Sequence, residues 1–312
     1  MGSGTFTTFA FADYSNVTGK SFDWDSGKLS SGTSHQDIFK ATRMDPALDP
    51  NNVIRECVDF PEHPETKPVI LALDVTGSMS AAALETASSL NKIMTNLFGK
   101  VKDIEFMTMG IGDFAYDRCP LQVSQFESDI RIAEQMDKIY FEFGGGGNSY
   151  ESYTAAWKFG LDNTKLDCYD KRGKKALLIT MGDERINPYI DATRWYEVVG
   201  TRCQTIETKE LYKEASKKFE IYHIHVDHHA YGYEDSADSF KEVLPEQHVI
   251  TCKVDEIDNT ITNIILDFYQ NQENTPVEEV QTVVAEESAP AQDVNITNNF
   301  GVQLNDNGEI VW

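Results

Sequence analysis

Five apolar residues, Val69 to Leu73, run without interruption into an aspartate, and small hydroxylated residues follow at once: PVILALDVTGSMS from Pro68 to Ser80. A strand that is apolar at every position is buried on both faces, as at the centre of a parallel sheet covered by helices. The polar residues that follow then sit at the end of that strand, where the chain turns into a helix. Asp74, Thr76 and Ser78 alternate, so three oxygen-bearing side chains can converge on one point. Carboxylate and hydroxyl oxygens are hard ligands, suited to Mg²⁺, Ca²⁺ or Mn²⁺ rather than to zinc or copper.

Beyond this stretch strands and helices alternate. Helical spacing of apolar residues predicts a helix over 80–98, ended by Gly99. Ile104–Ile111 reads as a second strand, and 121–126 as its antiparallel edge partner. A helix is expected over 129–141. Four glycines, Gly144 to Gly147, then break the pattern, and a further helix is expected over 149–161. Ala176–Thr180 is another all-apolar strand, ending in Met181-Gly182-Asp183-Glu184. A helix over 209–218, strands over 220–226 and 248–254, and a closing helix over 256–269 complete the series. Such alternation predicts an α/β fold, a doubly wound and mostly parallel Rossmann-like sheet flanked by helices. Ligands of such sheets bind in the crevice at the carboxyl ends of the strands. Asp74–Ser78, Asn148–Glu151 and Asp183–Glu184 all fall at such ends.

With three loops in this order, residues 67 to about 270 resemble a von Willebrand factor A domain of the intracellular type, over about two-thirds of the chain. The spacing Asp74-x-Thr76-x-Ser78 resembles that family's metal-ion-dependent adhesion site. The resemblance implies that Thr76 and Ser78 bind the metal directly and that Asp74 and Asp183 bind it or hold its waters. A partner's Glu or Asp carboxylate then completes the octahedron. In the glycine-rich loop the family commonly places a threonine or an acid, and here that place falls to Asn148. Its amide brings no charge, so Ser149 or Glu151 is open to serving instead. Glu151 also suits the first turn of a helix, where an acid favours the dipole. Asp113 is either a rim residue or a plain turn aspartate. The implied function is a non-enzymatic, metal-dependent protein-binding module. Intracellular members act in multiprotein assemblies, some with ring-forming AAA+ ATPases.

His223-Ile-His225-Val-Asp227-His228 fits a rival pattern, H-x-H-x-D-H, the signature of metallo-β-lactamase-fold hydrolases. Alternating His223, His225 and Asp227 share a strand face, and imidazoles suit zinc or iron. That fold needs several ligands further on, and beyond the adjacent His229 the one further histidine is His248. The preceding architecture is also wrong for it, which leaves an accessory or adventitious metal site at His225, Asp227, His228 and His229, or plain polar residues at a sheet edge.

Flanking segments differ from the core. Residues 1–66 lack helical periodicity and carry scattered aromatics, Phe6, Phe9, Phe11, Tyr14, Phe22 and Trp24. They read as an irregular arm pinned to the main domain, or one reaching a neighbouring subunit. Residues 271–292 are acidic, without Lys or Arg, and read as a disordered linker. In 293–312, Asn307-Gly308 between short apolar runs predicts a β-hairpin, which is marginal alone and should dock on something. A second functional reading follows: a structural protein whose A domain is scaffold and whose arm and tail join copies.

The net charge of −24 excludes a phosphate backbone as an obvious partner and favours a cationic partner or a bound divalent ion. Five cysteines without a CxxC pair read as reduced thiols of a cytoplasmic protein. The first residues lack a basic segment followed by an apolar one, so a secretory signal is not expected, and no apolar run has the length of a membrane span.

Overall fold

The structure, a computed structural model, describes residues 4–142, 148–227 and 236–274 together with the pairs 303–304 and 310–311. Chain contacts divide it into residues 1–274 and residues 275–312.

The first unit is built on a sheet of β1 (Lys67–Asp74), β2 (Ile104–Ile111), β3 (Leu121–Val123), β4 (Ala176–Gly182), β5 (Phe219–Val226) and β6 (Val249–Cys252). Its order is β6-β5-β4-β1-β2-β3. All neighbours are parallel except β3, which runs antiparallel along β2 from Met109↔Val123 to Ile111↔Leu121. This is the doubly wound order, and it reverses direction between β1 and β4. At that switch point Leu73 lies opposite Met181.

The apolar runs in β1 and β4 are explained by what covers them. Val69, Leu71 and Leu73 point into one core, with Leu90, Ile93, Leu97, Ile261 and Ile265. Ile70 and Ala72 point into the other, with Trp157, Phe159, Leu211 and Phe219. The first face is covered by α1 (Thr8–Val17), α2 (Ser80–Ser88), α3 (Leu90–Phe98), α4 (Arg131–Met136) and α9 (Ile257–Asn274). The second is covered by α5 (Thr154–Asp162), α6 (Ala192–Val199), α7 (Thr208–Lys218) and α8 (Ser236–Lys241).

Four local expectations change. The helix expected over 80–98 is two, with Ser89 at φ −90°, ψ 0° between them. The Ser89 hydroxyl donates to Glu85 Oε1 at 2.7 Å, the kind of local side-chain bond that competes with a regular helix. The helix expected from 149 begins at Thr154. Residues 150–151 instead form a short parallel pairing with 185–186. The helix expected over 129–141 is the shorter α4. Finally, the arm is not irregular throughout: α1 is a ten-residue helix capped by Thr7, whose hydroxyl accepts from the Ala10 amide at 3.1 Å.

The arm is part of the fold. Phe6, Phe11, Leu29, Ile38, Phe39 and Leu48 are buried in the first core. Lys28 from the arm pairs with Glu85 of α2 at 2.6 Å and with Asp258 of α9 at 3.3 Å. In the second unit, Gln303–Leu304 pairs antiparallel with Ile310–Val311, as the hairpin expectation requires. The Asn307-Gly308 turn, most of the expected linker, Gly144–Gly147, His228 and His229 lie outside the described residues.

Candidate metal centre

Because β1 and β4 are neighbours, the loops that leave them meet. Asp74 ends β1 fully buried, and Oδ1 accepts from its own loop, from the Thr76 amide at 2.9 Å and the Thr76 hydroxyl at 2.6 Å. Oδ2 accepts from the Tyr153 phenol at 2.8 Å. From the other side of the switch point comes Asp183, 4% exposed, whose Oδ1 accepts from the Ser78 hydroxyl at 3.2 Å. Asp74, Thr76, Ser78 and Asp183, singled out from the sequence, thus stand in one connected cluster. Ser78 is exposed, so the cluster opens to solvent on that side.

The second loop contributes differently. Asn148 is exposed and turned onto its own loop, its side-chain oxygen accepting from the Tyr150 amide at 3.1 Å; Ser149 is exposed beside it. The carboxylate buried here is that of Glu151, 7% exposed, whose Oε2 has no hydrogen-bond partner among the described residues. It lies three residues before α5, in the short pairing with 185–186, so it is not a first-turn helix acid. Asp113 serves its own turn: Oδ1 accepts from the Ala115 amide at 2.8 Å, while its amide donates to Asp117 Oδ2 at 2.7 Å.

Electrostatics follow from this crowding of acids. Burial first, and then the charge of Asp183, raise the Asp74 carboxyl above its ordinary range, against the hydrogen bonds from Thr76 and Tyr153. Burial first, and then Asp74, Asp117, Asp113 and Glu184, push the Glu151 carboxyl up strongly. The Tyr153 phenol is raised well above its usual value by burial and by the same acids, so it stays protonated and donates.

Tyr153 had no place in the sequence reading. It stands at the start of α5, fully buried, and ties the loops together: its hydroxyl donates to Asp74 and accepts from the Glu184 amide at 3.3 Å. Its ring packs edge-on against His223 and Phe240, with centroids 5.3 Å away in each case. His223 is fully buried, stacked on Phe240, with Nδ1 3.0 Å from the Thr180 hydroxyl. Burial holds its imidazole well below the usual basicity, so it supports the Tyr153 ring as a neutral core residue. His225 is nearly buried with its ring 6.3 Å from that of His223, and Asp227 closes β5 by donating its amide to the Cys252 carbonyl at 2.9 Å. Among the described residues no three His, Cys, Asp or Glu side chains form a ready metal cage. At the switch point two hydroxyls stand with the acids, and this all-oxygen donor set, with one buried and unpartnered carboxylate oxygen beside it, fits a hard divalent cation.

A pocket of about 450 Å³ adjoins the cluster, lined by Asp113, Phe114, Tyr150, Tyr189, Ile190 and Asp191 among others. One wall, drawn from residues 187–194, carried no element in the sequence reading. Asn187 braces it, accepting from the Thr154 amide at 3.2 Å and donating to the Tyr189 carbonyl at 2.9 Å. Two cap residues flank α6 and were legible signals: Asp191, which accepts from the amides of Thr193 and Arg194, and Gly200, at φ +78°.

No family model matches this sequence, and no curated protein matches it. Solved structures do. The chain is similar to the pilus adhesin SpaC from Lactobacillus rhamnosus GG, at 14% identity and a TM-score of 0.44, over 71% of this chain and 31% of that one. It is similar to the vWF domain of the type V pili tip protein Mfa5 from Porphyromonas gingivalis, at 12% identity and a TM-score of 0.44, over 66% of this chain and 96% of that one. The SpRpn10 VWA domain matches at 12% identity and a TM-score of 0.40, over 62% and 95%. The chain thus spans about a third of the length of SpaC. At these scores the fold assignment rests on the sheet order and the switch point themselves. The architecture is an α/β fold, a mostly parallel six-stranded sheet flanked by helices, and it leaves the ligand to the site. Among the described residues no helix is long and apolar enough to cross a membrane.

Proposed function

We propose that this chain is a protein-binding module that uses a divalent cation, Mg²⁺ or its relatives Ca²⁺ and Mn²⁺, to capture a carboxylate of its partner within a multiprotein assembly. The reading is supported by one observation above all: two hydroxyls and two carboxylates from both sides of the switch point converge beside a buried Glu151 oxygen that has no hydrogen-bond partner among the described residues. Buried acids of this kind cost stability unless a cation faces them. Thr76, Ser78, Asp74 and Asp183 would hold the ion, with Glu151 behind them. Bound there, a divalent ion supplies positive charge at an open face. The chain's own residues do the rest. Tyr153 holds the Asp74 carboxylate in place, Thr76 fixes its other oxygen, and the exposed Ser78 side admits the partner. The module is non-enzymatic and cytoplasmic in this reading.

Titration of the full chain with MgCl₂ after EDTA treatment tests it. A saturating ion at a hundred times its dissociation constant should add about 2.7 kcal/mol of stability. Asp74→Ala with Ser78→Ala should fold and lose that gain together with Mg²⁺-dependent partner capture from the native cell. A folded double variant that still captures the partner sinks the reading. A second reading, a scaffold that joins copies, is favoured by the exposed rings of Phe9 and Trp24 on the arm, whose centroids lie 5.5 Å apart. Assembly that persists unchanged in EDTA would favour it over the first.

A further inference from the structure

The pocket beside the carboxylate cluster is shaped for more than the metal ligand. Its walls are aromatic and acidic at once. Phe114 forms part of the floor, and the rings of Tyr150 and Tyr189 stand 39% and 49% exposed at its edge. Asp113 and Asp191 place two carboxylates on the same lining. Among the described residues the one lining cation, Arg194, is already committed: Nε donates to the Phe114 carbonyl at 2.7 Å and Nη1 to Glu197 Oε2 at 2.5 Å. The lining therefore presents an excess of negative charge, in a chain whose net charge is −24. Aromatic faces with carboxylates around them attract a guanidinium above other side chains, because its flat cation stacks on rings while its N–H groups reach oxygens. A volume of about 450 Å³ lies within the range of roughly 300–1,000 Å³ typical of ligand pockets and holds such a side chain with part of its backbone.

The pocket and the carboxylate cluster share a wall. Along Tyr150-Glu151-Ser152, the Glu151 carboxylate is buried behind the cluster, whereas Tyr150 and Ser152 line the pocket. Ser152 also ties the Asp113 turn to this wall, its hydroxyl accepting from the Phe114 amide at 3.0 Å. We infer that this pocket takes an arginine side chain of the partner, next to the residue whose carboxylate meets the cation. The recognised segment thus carries an acid and an arginine close together. This inference rests on the carboxylate-capture reading for the acid, but the arginine pocket stands or falls by its own test.

The probe is N-acetyl-arginine amide, followed by saturation-transfer NMR on the full chain, once in Mg²⁺ and once in EDTA. The amides of leucine, phenylalanine and glutamate serve as comparisons. Arginine should bind in both buffers and more tightly than the other three. Asp191→Asn keeps an equally good helix cap and removes the charge; it should weaken arginine binding about three- to tenfold, as should Tyr189→Ala. Neither variant should alter Mg²⁺ affinity. Preference for leucine or phenylalanine, or arginine binding unmoved by Asp191→Asn, overturns the proposal. A tetrapeptide bearing Asp and Arg then separates the two readings. If arginine binds but the acid adds nothing in Mg²⁺, capture by the cation fails and the pocket survives. If the acid adds affinity in Mg²⁺ but arginine adds none, the pocket fails and capture survives.

Discussion

A β-carbon at Gly182 would stand 1.9 Å from the Tyr153 hydroxyl oxygen, so the end of β4 must be glycine for the phenol to reach Asp74. Gly182→Ala is expected to displace Tyr153, free the Asp74 carboxylate and cost about 1–3 kcal/mol, with loss of Mg²⁺ stabilisation in a thermal-shift assay. Tyr153→Phe should show the smaller part of the same loss. A buried acid away from the site adds its own response to pH. Glu105, near the start of β2, is fully buried, with His63 Nδ1 3.7 Å from its Oε1. Burial raises its carboxyl from an ordinary 4.5 to about 7; the Cys57 thiol lowers it in part, and the charges of Glu127 and Asp59 add to the rise. Between those pH values the folded chain keeps a proton that the unfolded chain has released. Its contribution to stability is therefore full below pH 4.5 and is lost as pH rises through about 7, on the order of 3 kcal/mol. Glu105→Gln should unfold at a higher temperature than the parent at pH 8, and the difference should vanish near pH 4.5.

The arm helix α1 shows what an element contributes. Phe11 is buried in the first core beside Phe6, at 5.9 Å between ring centroids, whereas Phe9 is 78% exposed. Phe11→Ala should lower the urea-unfolding free energy by about 3–5 kcal/mol and Phe9→Ala by less than about 0.5. That contrast also explains why α1 was not legible. Its inward face is Phe11, Ala12 and Ser15, with the Ser15 hydroxyl bonded to the Phe11 carbonyl at 2.6 Å, and a large ring points outward at Phe9. An exposed phenylalanine and a buried serine blur helical periodicity. The sheet was legible for the opposite reason, since its central strands β1 and β4 are buried on both faces and read as apolar runs. The same distinction divides the site. Asp74, Thr76 and Ser78 are close in sequence and carry their chemistry in their spacing. Tyr153 works through a contact with a residue 79 positions away, and nothing around it in the sequence marks it.

At the scale of the whole molecule, 51 acids against 27 basic residues set the behaviour in salt. Raising NaCl from about 50 to 500 mM should stabilise the EDTA-treated chain by screening self-repulsion and weaken its hold on an arginine-bearing peptide by slowing encounter. Circular-dichroism melts and binding kinetics over the same salt series should therefore move in opposite directions. The meeting of Ser78 and Asp183 carries a consequence for the cell. They are 105 residues apart, and they touch only because β1 and β4 lie side by side at the centre of the sheet. A chain whose central strands have not yet paired has no such cleft to offer. On the capture proposed above, a partner would select finished molecules and pass over nascent or damaged ones, so recruitment would double as inspection.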